Sequence, residues 1–214
     1  MVEEDVEFRA PKRSFFTPLN VTVLVVALLP MVLTGVMVGR GQSPLPVIQP
    51  MPDFHLVNQR DERLRAQDLQ GKVLVVSFLF TNCPDVCPAT VSRLKTTADW
   101  LDEKHPEAWE KFRFVALSLD RRGDQPETVK PFLELRGHSN DRWDYFLSEE
   151  SLHPLVRDGF MVGVREDDQL AAVHSDRVVL VDKRGLIRGY YELHNTEQIA
   201  RFHHGIEQLL KEDS

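Results

Sequence analysis

Cysteine is nearly absent from this chain: its 214 residues include only two. A multi-disulfide scaffold is therefore excluded, and a bridge between residues so close together would close too small a loop to staple a domain. A positive surplus is also lacking, since 26 lysines and arginines stand against 33 aspartates and glutamates, a formal charge of −7. That balance argues against nucleic acid as a partner, because neutralising phosphates needs a basic surface. Internal repeats and low-complexity segments are missing too. What is present is an ordinary globular composition, 42% hydrophobic and 28% charged. Once a membrane anchor is set aside, the length suits one domain with a substantial core.

The two cysteines stand three residues apart in Phe80-Thr81-Asn82-Cys83-Pro84-Asp85-Val86-Cys87-Pro88. An apolar run, Val73 to Phe80, precedes them, and a helical pattern of Val91, Leu94, Ala98 and Leu101 follows. This order places two thiols between the end of a buried strand and a helix N-terminus, where the helix dipole is expected to lower a thiol pKa. Thiolate is both a nucleophile and a soft metal ligand, so redox chemistry and metal binding are both open at this point. Two lone cysteines in a cytosolic domain are usually inert core residues. Here both are followed by proline in a turn, and the segment upstream exports them.

That upstream segment runs uncharged from Phe15 to Gly39, with Val21 to Val38 predominantly apolar over about a bilayer's thickness. It reads as one transmembrane helix over residues 19–39, longer than the apolar part of a cleaved signal peptide. Arg9, Lys12 and Arg13 lie just before it, and only Arg40 follows until Arg60. This bias assigns residues 1–18 to the cytoplasm and the remainder to the outside, an oxidising setting for the thiols. Residues 40–51 are proline-rich and read as an extended tether, leaving 52–214 as the folded domain.

Within that domain the pattern predicts a short strand near Phe54 to Val57, a turn over Ala66 to Lys72 and a buried strand over Val73 to Phe80. A helix entered at Pro88 and stopped at His105-Pro106 follows, then a second buried strand over Phe112 to Leu119. Pro126 to Leu135 reads as a helix closed by Gly137, Trp143 to Leu147 as a weak strand, and Ser151 to Asp158 as a short helix. A hairpin of Arg177 to Asp182 and Gly189 to Glu192 turns at Lys183-Arg184-Gly185, and Thr196 to Lys211 closes the chain as a helix. This is the element order of an α/β thioredoxin-like fold, a central mixed sheet flanked by helices. Asp120 and Asp124 read as turn caps. His203 and His204 read as surface or helix-face residues, and His55, His105, His138, His153 and His194 as loop or surface residues.

The chain resembles the Sco (SenC) family of membrane-anchored copper proteins that assist cytochrome c oxidase assembly. The resemblance rests on Thr81-Asn82-Cys83-Pro84-Asp85-Val86-Cys87-Pro88, on Ser118-Leu119-Asp120 with Asp124, and on His174-Ser175 ahead of Val179-Leu180-Val181-Asp182. It implies that Cys83, Cys87 and His174 bind one copper ion, as Cu(I) or Cu(II), and that the recipient is the copper A centre of oxidase subunit II. A periplasmic thioredoxin-like reductase that reduces the pair before metallation is a second implied partner. The chemistry is consistent, since two thiolates and an imidazole form a soft, low-coordinate set, whereas structural zinc normally takes four protein ligands.

An enzymatic alternative is a membrane-tethered thiol-disulfide oxidoreductase acting through Cys83 and Cys87. Such enzymes normally separate their cysteines by two residues and carry a cis-proline before the following strand. Here the spacing is three, and Val173-His174-Ser175-Asp176 has no proline. The absence of an Arg- and Ser-rich, acid-poor presequence points to the bacterial inner membrane, with the domain in the periplasm, over the mitochondrial inner membrane.

Overall fold

A computed structural model describes residues 44–84, 86–138, 140–163 and 177–212. The chain divides into two units, Met1–Pro44 and Leu45–Ser214. The transmembrane helix expected over 19–39 lies outside the described residues, among which no helix is long and apolar enough to cross a membrane.

The second unit is built on β4 (Val73–Leu79), whose seven side chains are all buried. Such a strand has no solvent face, so it sits mid-sheet with neighbours on both edges. On one edge it pairs in parallel with β5 (Phe112–Ser118), and β5 pairs in parallel with β6 (Trp143–Leu147). On the other it pairs antiparallel with β7 (Arg177–Val181), the first strand of a hairpin with β8 (Leu186–Glu192). With β1 (Gln49–Pro50), β2 (His55–Asn58) and β3 (Arg63–Arg65), the order across the sheet is β1-β8-β7-β4-β5-β6-β2-β3. Parallel neighbours need long crossovers, and the helices supply them: α1 (Val86–Lys104) between β4 and β5, and α2 (Pro126–Glu134) between β5 and β6. The result is the mixed sheet with flanking helices that the sequence order implies.

Local chemistry sets the boundaries. Val91, Leu94, Ala98 and Leu101 are buried along one stripe of α1, and the helix ends before Pro106, where His105 adopts φ −144°. Pro126 opens α2 at a position where its missing N–H costs nothing, and Gly137 follows it with φ +73°. The Asn195 side chain accepts the Gln198 amide at 2.9 Å and caps α3 (Thr196–Lys211), which buries Phe202, Ile206 and Leu209. The helix expected over Ser151 to Asp158 is a π turn at Leu155–Gly159.

Two further structural features depart from the sequence reading. Residues 45–51, expected as free tether, run along the sheet edge: the Ile48 and Met51 amides donate to Ile187 and Gly185 at 2.9 and 2.8 Å. His138, expected in a loop or on the surface, is buried with its Nε2 2.9 Å from the Val91 carbonyl, and burial pushes its pKa below the ordinary histidine value.

His203 stacks on Trp100 with ring centroids 4.2 Å apart and lies 3.1 Å from Thr97 Oγ1, joining α3 to α1. Burial brings its pKa down to about 4 from 6.5, so the folded chain holds it neutral at a pH where the unfolded chain protonates it. Between those values the unfolded state binds more protons. Stability from this source is therefore complete above 6.5 and is lost as pH falls towards about 4. The ring is partly exposed, so screening limits the loss to about 1–2 kcal/mol. Urea unfolding at pH 7 and pH 4.5 tests it: His203→Gln should lose less on acidification than the wild type by that amount, and equal losses would assign the effect to another group.

Candidate metal and thiol centre

The sheet delivers the thiols. β4 ends at Leu79, whose carbonyl accepts the Leu119 amide at 2.9 Å. The chain then turns, with the Cys83 amide 3.3 Å from the Phe80 carbonyl, and enters α1 at Val86. Cys83 is partly exposed and Cys87 is buried, 3% accessible. Both are free thiols. The Cys83 Sγ accepts the Cys87 amide at 3.3 Å, which satisfies one of the N–H groups that a first helical turn leaves without a partner.

The expectation of a lowered thiol pKa fails for Cys87. Desolvation pushes its thiol far above the ordinary value, and the hydrogen bond with Cys83 adds to the shift; a backbone hydrogen bond at Phe80 opposes them without prevailing. A helix dipole favours thiolate only where the sulfur keeps some access to water or a cation, and Cys87 points into the core instead.

The loop after β5 forms a wall beside the thiols. A Cβ on Gly123 would collide with Asp120 Oδ2 and come within 2.9 Å of Asn82 Nδ2, so any other residue there would displace these two side-chain ends, one of them on the residue preceding Cys83. Asp120 acts as expected of a turn cap, its Oδ1 accepting the Arg122 and Gly123 amides at 3.1 and 2.9 Å. Asp124 does not. It is 2% exposed and takes four hydrogen bonds: Thr81 N at 2.8 Å and Thr81 Oγ1 at 2.7 Å on Oδ1, Ser118 Oγ at 2.7 Å and the Tyr145 hydroxyl at 2.9 Å on Oδ2. Tyr145 is held well above its ordinary pKa by burial and by that carboxylate. Asp124 is the site residue whose role the sequence reading missed, and the four-residue interval from Asp120 offered no signal of it.

His174 lies outside the described residues. Among the described residues no three His, Cys, Asp or Glu side chains gather as a metal site. The strand that follows His174 is informative. β7 runs antiparallel to β4 with Val76 opposite Val179 and Leu74 opposite Val181, so β7 begins at the end of the sheet where β4 releases the thiol loop.

Comparison with known proteins agrees with this fold. A family model described as SCO1/SenC matches residues 46–211. The SCO1 protein homolog of Bacillus subtilis is 24% identical over 164 residues, covering 74% of this chain and 82% of that protein. BsSco, a member of the Sco family of cytochrome c oxidase assembly proteins in which a disulfide switch is identified, aligns with TM-score 0.68 at 22% identity, over 80% of this chain and 99% of its own. ScoI of Bradyrhizobium japonicum, solved with copper bound, aligns with TM-score 0.59 at 19% identity over 75% of this chain and 99% of its own. At these identities the solved structures speak to the fold alone.

Proposed function

The chain belongs to the SCO1/SenC family, and from that premise we propose that it is a membrane-anchored copper carrier. It holds one copper ion through Cys83, Cys87 and His174 and passes it to the copper A centre of cytochrome c oxidase subunit II. The observation that carries this reading is the placement of two free thiols in the turn that opens α1, with the Cys83 Sγ accepting the Cys87 amide at 3.3 Å, which keeps two soft donors close enough to serve one ion. The entry of β7 from the thiol side of the sheet supports a third ligand from the segment just before it, where His174 stands three residues ahead of Arg177. Three protein ligands leave copper under-coordinated, so an acceptor ligand attacks the ion and transfer proceeds by exchange, without release to water. Oxidation of Cys83 and Cys87 to a disulfide would block loading, which gives a periplasmic thioredoxin-like reductase its place as a partner.

In this reading residues 19–39 anchor the chain in the bacterial inner membrane, residues 1–18 stay cytoplasmic, and the folded domain, including the edge segment 45–51, faces the periplasm. Anaerobic titration of the reduced full chain with Cu(I) tests the ligand set, with X-ray absorption on the loaded protein. A one-to-one complex is expected, and His174→Ala should weaken it roughly 100-fold, about 2.7 kcal/mol. An affinity indifferent to that change sinks the reading.

The paired thiols also favour a second reading, a tethered thiol-disulfide oxidoreductase. The three-residue spacing and the absence of proline in Val173 to Asp176 weigh against it. Rapid turnover of a disulfide substrate that survives His174→Ala would reverse the preference.

A further inference from the structure

We propose that Asp124 is a positioning residue for the thiol pair, fixing the Cys83 loop through Thr81 without itself binding the ion. The inference deepens the copper-carrier reading and, for its metal consequence, rests on it. A carboxylate offers about four lone-pair directions. All are occupied here: Oδ1 by the Thr81 amide and hydroxyl, Oδ2 by the Ser118 and Tyr145 hydroxyls. No direction is left for a metal, so a ligand role is excluded by valence in this arrangement.

The two oxygens divide the work. Oδ1 holds the chain two residues before Cys83, just past the last ladder pair of Leu79 and Ser118. Oδ2 holds the end of β5 and a fully buried ring on β6. The loop that aims Cys83 is thereby tied to two strands of the core by one buried anion. Hydrogen bonds to a charged acceptor are roughly twice as strong as neutral ones, which suits a device that must keep a partly exposed loop in register.

Substitutions on the two sides have different expected effects. Tyr145→Phe removes one bond from Oδ2 and leaves both loop bonds in place. Thr81→Val removes the hydroxyl bond on Oδ1. Asp124→Ala strands all four donors. Asp124→Asn has nearly the same shape: its oxygen can accept from Thr81 while its NH2 donates to Ser118 and Tyr145, whose hydroxyls accept as well as donate.

The test equilibrates the full chain with oxidised and reduced dithiothreitol. The protein dithiol gives two electrons and two protons to the oxidised reagent, forming the Cys83–Cys87 disulfide and the reduced reagent. The equilibrium constant reports how well the loop presents one sulfur to the other. Asp124→Ala should lower it about tenfold, Thr81→Val about threefold and Asp124→Asn, which keeps the bonds but not the charge, by less than Thr81→Val, with Tyr145→Phe close to the wild type. Tyr145→Phe should instead show its effect in urea unfolding. If Thr81→Val leaves the constant unchanged, or Tyr145→Phe lowers it as much, Asp124 is a fold residue only and the proposal is overturned. Should Asp124→Ala fail to fold, Thr81→Val and Tyr145→Phe still decide. Copper titration of the same variants is read separately: a wild type that binds no copper strikes the carrier reading, while the dithiothreitol equilibrium still judges the positioning role.

Discussion

Iodoacetamide should alkylate Cys83 at least about 100-fold faster than Cys87, a difference of about 2.7 kcal/mol. Cys87→Ser should therefore leave the fast reaction of the chain intact, and Cys83→Ser should abolish it. The asymmetry has two causes that act in the same direction. Cys87 is 3% accessible while Cys83 is partly exposed, so reagent reaches Cys87 only through local opening of the start of α1. The nucleophile is the thiolate, and desolvation together with the Cys83 hydrogen bond keeps Cys87 protonated well above its ordinary range. A time course read by mass spectrometry on the two single variants measures the ratio, and equal rates would show that Cys87 is not enclosed. Copper should not respect this asymmetry, because an ion between two sulfurs needs both, and each serine variant should lose the one-to-one complex. Under the proposed carrier function, the sulfur facing an incoming acceptor ligand or reductase would be Cys83, with Cys87 as the inner donor.

Much of this arrangement was legible in the sequence because local pattern and burial agree there. Val73 to Leu79 is apolar except for Ser77 and shows no alternation, which only a strand buried on both faces tolerates, and the fold places it mid-sheet. Thr196 to Lys211 repeats its apolar residues at helical spacing and is a helix over that span. β1 and β3 were not legible, since strands of two and three residues have no period to detect and exist only through their partners. The thiol environment was misjudged for a related reason: the position of Cys87 at a helix start is local, but its burial is set by the core around it. Asp124 is the clearest case. Its donors Thr81, Ser118 and Tyr145 lie 43, 6 and 21 residues away, and no spacing rule joins them. His138 is similar, its ring committed to the Val91 carbonyl 47 residues earlier.

Arg188→Met should cost about 3–5 kcal/mol of stability, the range for removing one partner of a buried ion pair. Arg188 is 3% exposed, and its guanidinium serves four groups from three parts of the chain. Nη1 reaches Asp182 Oδ2 at 2.8 Å and Glu212 Oε2 at 2.7 Å, Nη2 reaches Glu212 Oε1 at 3.0 Å and the Leu45 carbonyl at 2.6 Å, and Nε lies 3.1 Å from the Pro46 carbonyl. Burial alone would raise the Asp182 carboxyl, but the Leu186 amide and Arg188 together hold it below the usual carboxylate range. Methionine matches the stem yet leaves that carboxylate charged and two carbonyls without a donor. Arg188→Lys should rescue little, because an ammonium cannot span the fork. Adding Asp182→Asn to Arg188→Met should recover part of the loss: the buried charge, left with only the half-exposed Arg184 guanidinium at 3.4 Å, is removed, while Oδ1 still accepts the Arg184 and Leu186 amides that shape the hairpin turn. Urea unfolding gives the stabilities, and hydrogen exchange locates the damage, with the Ile48 and Met51 amides expected to lose protection first. If those two amides keep their protection in Arg188→Met, the backbone pairing with β8 holds the edge segment by itself, and the guanidinium is not what fastens residues 45–51 to the domain.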